Sequence, residues 1–231
     1  MSKRVSQILS LAVLSLLVPG CVPARAQAGS FTDAQASGGL KDALTQGIGT
    51  AVSETGRPGG YENNPLIKIV MPEKLQLVTK GLRAAGMGAD VDKFEHSMNS
   101  AAEQAAPAAK QIFLAALKSM TFDDARRIVT GGNTAGTEYF KRTTSTDVSN
   151  AFRPIIQKSM AANGVTQKYD ALMKSAPKLP FMSSTPMNIE DYVLQKAVDG
   201  LFTMMGEEEK KIRTNPAAQV TPLLKTIFGK R

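Results

Sequence analysis

Four polar side chains, Asp92, Glu95, Asn99 and Glu103, follow one another at spacings of three, four and four residues. In a helix this spacing places them along one side, because residues three or four apart are neighbours on the helix surface. Carboxylate and amide oxygens are ligands of divalent cations, and two carboxylates together can act as an acid and base pair. The row therefore predicts a cation site or an acid and base pair, or else a solvated face opposite the apolar stripe of the same helix.

The other chemistry-bearing residues form no recognisable catalytic motif. His96 is the only histidine of the chain, which excludes zinc sites built from several histidines. A serine hydrolase is not expected, because its triad would have to use His96 and the sequence has no Gly-x-Ser-x-Gly turn. We therefore expect neither an enzyme nor a bound cofactor.

A glycine-rich run at 131–137, GGNTAGT, is similar to a phosphate-binding loop before a helix. It lacks the lysine that contacts the phosphates, and it follows a predicted helix where that motif requires a strand. We therefore interpret this run as a turn between two helices.

A charged run at 207–213, EEEKKIR, contains two acid and base pairs with a spacing of four residues. They are Glu207 with Lys211 and Glu209 with Arg213. Each such pair adds only a few tenths of a kcal/mol to a helix. The run is interpreted first as reinforcement of a helix end and second as a docking face.

Residues 141–178 carry most of the positive excess of the chain, with seven basic and two acidic residues. The candidates for binding an anionic surface are Lys141, Arg142, Arg153, Lys158 and Lys168. Lipid headgroups or an acidic polymer would suit such a surface, and the alternative is a helix face that only keeps the protein soluble. Nucleic acid is not expected, because the two aromatic residues of this segment do not alternate with its basic residues.

The first 28 residues have the pattern of an export leader. Lys3 and Arg4 precede an apolar run at 8–18, and Ala26-Gln27-Ala28 supplies the small residues that a signal peptidase recognises. The apolar run is shorter than the roughly 20 residues that cross a bilayer. We therefore expect a protein that is exported to the periplasm or to another exported compartment and whose mature chain has no transmembrane span.

Two cleavage sites are compatible with this leader. Cleavage after Ala28 leaves a mature chain without cysteine, so neither a disulfide nor a catalytic thiol is available in its oxidising compartment. Removal of the leader with Lys3, Arg4 and Arg25 also lowers the formal net charge of +8 by three. In the alternative, Cys21 follows the apolar run directly and becomes a lipidated N-terminus that anchors the chain to the envelope.

Most of the chain has the apolar periodicity of amphipathic helices. One stripe consists of Leu40, Leu44, Ile48 and Val52, and another of Val91, Phe94, Met98 and Ala101. A helix is expected to begin at Thr121 with Asp124 as its capping partner. Further helices are predicted over 135–143, 147–162, 166–175 and 189–212, the last capped by Asn188, and a final one over 221–229.

The segment 65–72 alternates apolar residues between two prolines. It is predicted to be an extended connector, because a lone strand would have no partner. The chain as a whole is predicted to be all-α, a compact multi-helix bundle after an N-terminal signal peptide. Its expected divisions are the signal peptide 1–28, a flexible segment 29–39, and a single helical domain 40–231.

Several motifs resemble those of the bacterial domain of unknown function 4197 family. They are Asn63-Asn64-Pro65, Phe94-Glu95, Ser97-Met98-Asn99, Ala101-Ala102-Glu103, Tyr139-Phe140, Asp199-Gly200-Leu201-Phe202, Asn215-Pro216 and Leu223-Leu224-Lys225. The resemblance extends from about Leu40 to Gly229. It implies an exported, largely helical protein, and it implies no catalytic residue, because the family offers none.

We therefore expect a non-enzymatic envelope protein that binds a partner protein or an anionic surface through its helical exterior. Two other hypotheses remain open. The first is a metal-assisted enzyme that uses Glu95 and Glu103 with Asn99. The second is a helical carrier of an apolar ligand, suggested by the 11 methionines, which adapt to irregular apolar shapes.

Overall fold

The computed structural model describes residues 33–162, 164, 167, 169–171, 188–215, 217, 219 and 225. This part of the chain contains seven α-helices. They are α1 (Asp33–Gly56), α2 (Gln76–Ala84), α3 (Gly88–Ala105), α4 (Ala109–Ser119), α5 (Phe122–Thr130), α6 (Ala135–Ala162) and α7 (Ile189–Thr214). No strand occurs among these residues, which confirms the predicted all-α class.

Several predicted features lie outside the described residues. They are the leader 1–28 with Cys21 and Ala28, the basic residue Lys168, and most of the predicted helices 166–175 and 221–229. The segment 29–39 is described from Asp33 onward, and there it already forms the first turns of α1. Helical structure therefore begins earlier than Leu40, where the sequence predicted that order starts.

The two longest helices, α6 and α7, form the centre of the bundle. They run antiparallel, because the start of α6 at Gly136 meets Glu209 near the end of α7, whereas Arg153 meets Asp191 near its start. Helix α3 packs on both of them, and α1 packs on α7 and α4. The described helices lie within one compact unit of residues 32–231.

The core contains the apolar stripes that the sequence predicted. Leu40, Leu44, Ile48, Val52, Val91, Phe94, Met98 and Ala101 are all buried. Between α4, α6 and α7, the ring of Phe113 lies edge-on at 5.7 Å from the rings of both Phe140 and Phe202. Such edge-to-face contacts add to the stabilisation that burial of the rings provides.

Side-chain caps fix the ends of two helices as predicted. Thr121 Oγ1 accepts a hydrogen bond from the Asp124 N–H at 3.2 Å, and the Asp124 carboxylate accepts one from the Thr121 N–H at 3.2 Å. Asn188 Oδ1 accepts hydrogen bonds from two N–H groups in the first turn of α7. These caps satisfy backbone donors that have no partner within the helix.

The predicted helices 135–143 and 147–162 are one continuous helix, α6. The hydroxyls of Thr143 and Thr144 donate to the carbonyls of Tyr139 and Phe140 in the preceding turn, at 2.9 and 2.6 Å. These hydroxyls therefore form their hydrogen bonds within the helix, and the polar residues do not interrupt it. None of the described helices combines the length and the apolar character that a bilayer crossing requires.

Candidate functional site

The predicted row on α3 faces the connector 57–72, which links α1 to the short 3-10 turn before α2. Glu103 is 9 % exposed, and its carboxylate accepts hydrogen bonds from three backbone N–H groups of the connector. The donors are Gly59 at 3.1 Å, Tyr61 at 3.0 Å and Glu62 at 3.2 Å. This carboxylate therefore holds the first half of the connector against α3.

The next two members of the row hold the second half of the connector. Asn99 Oδ1 accepts from the Ile69 N–H at 2.8 Å, and Asn99 Nδ2 donates to the Ile69 carbonyl at 2.8 Å. Glu95 accepts from the Met71 N–H at 3.0 Å. These side chains supply the hydrogen bonds that a neighbouring strand supplies in a sheet. The predicted connector forms no strand, but the prediction of extended backbone is wrong for residues 65–67, which form a turn in which the N–H groups of Ile67 and Lys68 donate to the Asn64 carbonyl at 3.1 and 2.8 Å. The partner of the second half of the connector is a helix.

Helix α7 holds the connector from the other side. The Tyr61 hydroxyl donates to the Ala197 carbonyl at 2.6 Å, and the Tyr192 hydroxyl donates to the Val70 carbonyl at 2.9 Å. A Cβ atom at Gly200 would lie 2.6 Å from Tyr61 Cε1. Glycine is therefore required at this position, because any larger residue would displace the buried ring.

The four predicted side chains lie in one row. Their oxygens bind N–H groups and a guanidinium of the same chain. Asn99 is fully buried, so the solvated-face interpretation is wrong for Asn99 and Glu103. Asp92 is exposed and pairs with Arg83 at 2.6 Å. The exposed His96 contacts the Glu62 carboxylate. Within the described residues, no group of three or more His, Cys, Asp or Glu side chains is arranged to hold a metal ion.

The residues around Glu103 in the sequence indicate that its carboxylate is buried. The alanines around it, Ala101, Ala102, Ala105 and Ala106, leave little polar surface on this part of α3. A helix that is apolar on most sides is usually buried. A charged residue within such a stretch therefore indicates a buried carboxylate with dedicated partners.

A second buried carboxylate, Glu209 on α7, lies at the N-terminal end of α6. It accepts hydrogen bonds from the N–H groups of Gly136 at 2.8 Å and Thr137 at 2.7 Å, and from Thr137 Oγ1 at 2.8 Å. Arg213 donates two more, from Nε at 2.9 Å and Nη2 at 2.7 Å. The same guanidinium donates to the Ile128 carbonyl at the end of α5, at 2.9 Å. This ion pair therefore ties α5, α6 and α7 together.

The glycine-rich run 131–137 joins α5 to α6 as predicted, but its last three residues already belong to α6, and two of them bind an anion, the Glu209 carboxylate. A Cβ atom at Gly136 would lie 2.8 Å from Leu44 Cδ2 and 3.1 Å from Glu209 Oε1. The i,i+4 pair of Glu209 with Arg213 is confirmed, but it is buried and not a surface reinforcement. The predicted partner of Glu207, Lys211, pairs with Glu208 at 3.3 Å.

A small cavity of about 20 Å³ lies beside this ion pair, between α1, α6 and α7. Its walls are mostly apolar, and Thr137, Glu209 and Arg213 form its polar end. A cavity of this size accommodates about one water molecule. No sequence pattern predicts this cavity, because its walls come from three separate helices.

A larger polar cleft of about 470 Å³ follows the exposed seam between α6 and α7. Buried Thr137, Phe202 and Gly206 form its floor. Exposed residues of both helices form its rim, namely Thr134, Glu138 and Lys141 from the α6 side and Asp199, Thr203 and Glu207 from α7. In the described part of the chain, none of its three carboxylates takes part in an ion pair or a side-chain hydrogen bond. The cleft therefore presents unneutralised negative charge to solvent.

The predicted basic surface does not gather on one side of α6. Lys141 lies in the acidic cleft, Arg142 lies over the Tyr139 ring at 5.8 Å, and Arg153 pairs with Asp191 at 2.6 Å. Helical periodicity places Arg142 and Lys158 roughly 160° apart around the axis. Arg142 and Arg153 are 11 residues apart and lie within roughly 20° of each other by the same periodicity, so two of the four described members share one side of the helix and the other two do not.

The chain was also compared with known proteins. The family model described as "Protein of unknown function (DUF4197)" matches residues 30–229. No curated protein and no solved structure matches the chain. The match confirms the resemblance found in the sequence, and the motifs that carry this resemblance include Asn99, Glu103 and Gly200 of the connector site. The chain belongs to the DUF4197 family of proteins of unknown function.

Proposed function

We propose that this protein is a non-catalytic binding module, exported to the periplasm, that holds a cationic segment of its partner in the cleft between α6 and α7. The observation that carries the proposal is the convergence of Glu138, Asp199 and Glu207 on one cleft. Within the described residues these carboxylates have no ion-pair partner, and Lys141 is the single basic residue among the cleft residues.

The size and the charge of the cleft support this assignment. Its volume of about 470 Å³ falls within the range of ligand-binding pockets, which is roughly 300 to 1,000 Å³. Carboxylates of one sign around a concave surface attract cations and raise their local concentration. The hydroxyls of Thr134 and Thr203 on the same rim are able to hydrogen-bond a polar ligand.

The hydrogen bonds of the two buried carboxylates, Glu103 and Glu209, support a non-catalytic role. A general acid or base must reach a substrate proton directly or through one water. The carboxylates of Glu103 and Glu209 instead accept hydrogen bonds from the chain's own backbone. A substrate would have to displace these donors before either carboxylate could react.

Binding of a fluorescent lysine-rich peptide, followed by anisotropy at low salt, tests the proposed cleft. We expect the double variant Asp199→Asn/Glu207→Gln to bind about ten-fold more weakly, and added salt to weaken binding to the original protein. Asp147→Asn is the matched control, because Asp147 is an exposed carboxylate of α6 that does not line the cleft. Equal affinity of the original protein and the double variant would contradict the proposal.

Anionic and neutral lipid vesicles test the alternative surface. Preferential binding to anionic vesicles that is lost in Lys158→Glu would favour recognition of an anionic surface by α6. Because Lys158 is exposed and is not a cleft residue, this outcome is distinguishable from peptide binding in the cleft.

Export is tested by sequencing the mature N-terminus from cells. The leader predicts a mature protein that begins at Gly29. An acylated Cys21 would instead identify a lipid-anchored protein, and a chain that retains Met1 would contradict export.

A further inference from the structure

We propose that the N-terminal end of α6 is a carboxylate-binding site in its own right, with the Glu209 side chain as its resident ligand. When that side chain is shortened to alanine, the site is expected to take up free acetate from solution. The inference rests on different observations from the proposed cleft, although Thr137 borders both sites.

The hydrogen-bond donors of this site are held in place by contacts that do not involve Glu209. The N–H groups of Gly136 and Thr137 belong to the first turn of α6, where backbone donors have no partner within the helix. The dipole of a long helix adds partial positive charge at the same end. The Arg213 guanidinium is also held by the Ile128 carbonyl at 2.9 Å. The arrangement is therefore expected to persist when the carboxylate is removed.

The geometry suits a planar anion with two oxygens. One Glu209 oxygen accepts from the Gly136 N–H and from both Arg213 donors, and the other accepts from the N–H and hydroxyl of Thr137. A Cβ atom at Gly136 would lie 3.1 Å from one of these oxygens. Because glycine permits this approach, the backbone forms a wall that leaves little room for the additional oxygens of phosphate or sulfate.

A small cavity lies beside the site. The cavity of about 20 Å³ between α1, α6 and α7 is lined by Thr137, Glu209 and Arg213 at its polar end. Truncation of Glu209 would join the vacated volume to this cavity. The atoms lost in Glu209→Ala are one methylene and the carboxylate, which is acetate without one hydrogen.

Thermal unfolding of Glu209→Ala in sodium acetate and in sodium chloride of equal ionic strength tests the inference. We expect the variant to unfold at a lower temperature than the original protein in chloride. Acetate at 100 mM should raise its Tm by about 2 to 4 °C relative to chloride, because a ligand that binds only the folded state stabilises it. The original protein should show no such difference, because its site is already filled.

Two variants separate site binding from a general effect of acetate. Glu208→Ala is the matched control, because Glu208 is the neighbouring acid but pairs with Lys211, and acetate should not change its Tm relative to chloride. In Glu209→Ala/Gly136→Ala, the new methyl group would obstruct the site, and the acetate effect should disappear. An equal acetate effect in both single variants would overturn the proposal, as would no effect in Glu209→Ala.

A folding failure of Glu209→Ala in chloride would still be informative. The readout would then be the yield of folded protein after refolding in acetate and in chloride, measured by circular dichroism and gel filtration. A higher yield in acetate supports the site, and equal yields overturn it.

Discussion

The two buried carboxylates, Glu209 and Glu103, are stabilised in different ways. Glu209 is paired with a buried guanidinium and lies at a helix N-terminus, and its partners come from three helices. Glu103 accepts hydrogen bonds only from backbone N–H groups of one connector, and among the described residues it has no cationic partner. One site therefore joins helices, whereas the other fixes a segment that has no regular secondary structure.

A buried charge is accommodated by a different kind of partner at each site. A buried ion pair is sensitive to loss of either partner, because the remaining charge is left uncompensated. A carboxylate held by backbone donors depends instead on the conformation of the loop that presents them. The two sites should therefore respond differently to substitutions of the carboxylate, its donors and their surroundings.

The largest effect is expected for Arg213→Met. This change leaves Glu209 buried without its cation, and we expect a loss of about 4 kcal/mol in the free energy of unfolding. Urea unfolding followed by circular dichroism measures it. Arg153→Met is the matched control, because Arg153 forms an ion pair of similar length whose side chains are half exposed, and it should cost less than about 1 kcal/mol.

The double variant Glu209→Gln/Arg213→Met sharpens this prediction. Removal of both charges should recover part of the stability lost in Arg213→Met, because no uncompensated charge remains. A double variant less stable than Arg213→Met would contradict the account of Glu209 as a charge that requires its cation.

A smaller loss, about 3 kcal/mol, is expected for Glu103→Gln. The amide keeps the shape of the side chain but retains only one acceptor oxygen for the three N–H donors. Urea unfolding should be accompanied by faster hydrogen exchange at Gly59, Tyr61 and Glu62. Glu54→Gln, an exposed acid that pairs with Arg57, is the control and should change neither quantity substantially. Unchanged hydrogen exchange at the connector in Glu103→Gln would contradict the conclusion that the Glu103 carboxylate fixes this segment.

Gly200→Ala tests the α7 side of the connector and should cost about 2 kcal/mol. Its new methyl group would lie 2.6 Å from Tyr61 Cε1, so the ring or the helix must shift. Gly49→Ala is the matched control, because Gly49 also lies within a helix and has no heavy atom within 4 Å of the added Cβ. A Gly200→Ala variant as stable as the control would show that the Tyr61 ring adapts without cost.

Local patterns predicted the elements that depend on local physics. The apolar stripe of Phe94 and Met98 predicted a buried helix face, because periodicity and burial alone determine it. The cap formed by Thr121 and Asp124 was predicted because both partners lie within one turn. The connector was predicted as extended from its prolines, but this missed the turn at 65–67, in which the Ile67 N–H donates to the Asn64 carbonyl.

The partners of the buried carboxylates were not predicted, because they depend on tertiary packing. Glu209 and Gly136 are 73 residues apart, and Glu103 and Gly59 are 44 apart. No spacing rule relates such positions. The cleft was missed for the same reason, since its rim combines Glu138 with Asp199 and Glu207 from another helix. The sequence predicted correctly that four polar side chains at 92–103 form one row on α3. Three of them bind the backbone of the connector instead of a cation or a substrate.

The smallest effect, about 1 kcal/mol at neutral pH, is expected for Tyr61→Phe, which removes the hydrogen bond to Ala197. Burial and the Glu103 carboxylate raise the pKa of the Tyr61 hydroxyl above its ordinary value of 10.0. The influence of Glu103 reflects a carboxylate that has no cation beside it in the described structure. Replacement of Glu103 by glutamine should therefore lower the pKa of Tyr61, which absorbance titration measures.

The raised pKa of Tyr61 also gives this prediction a pH dependence. The stability that the neutral hydroxyl contributes is fully present below pH 10 and is lost as the pH rises toward the folded-state pKa, because the unfolded chain releases the proton first. One such group changes the free energy of unfolding by about 1.4 kcal/mol per pH unit in that range. Urea unfolding between pH 8 and 11 should show a shallower alkaline loss in Tyr61→Phe than in the original protein. Tyr192→Phe loses a comparable hydrogen bond to Val70. This variant should still show the part of the alkaline loss in the free energy of unfolding that Tyr61 causes. Identical alkaline slopes for Tyr61→Phe and the original protein would contradict a buried, neutral Tyr61 hydroxyl beside the Glu103 carboxylate.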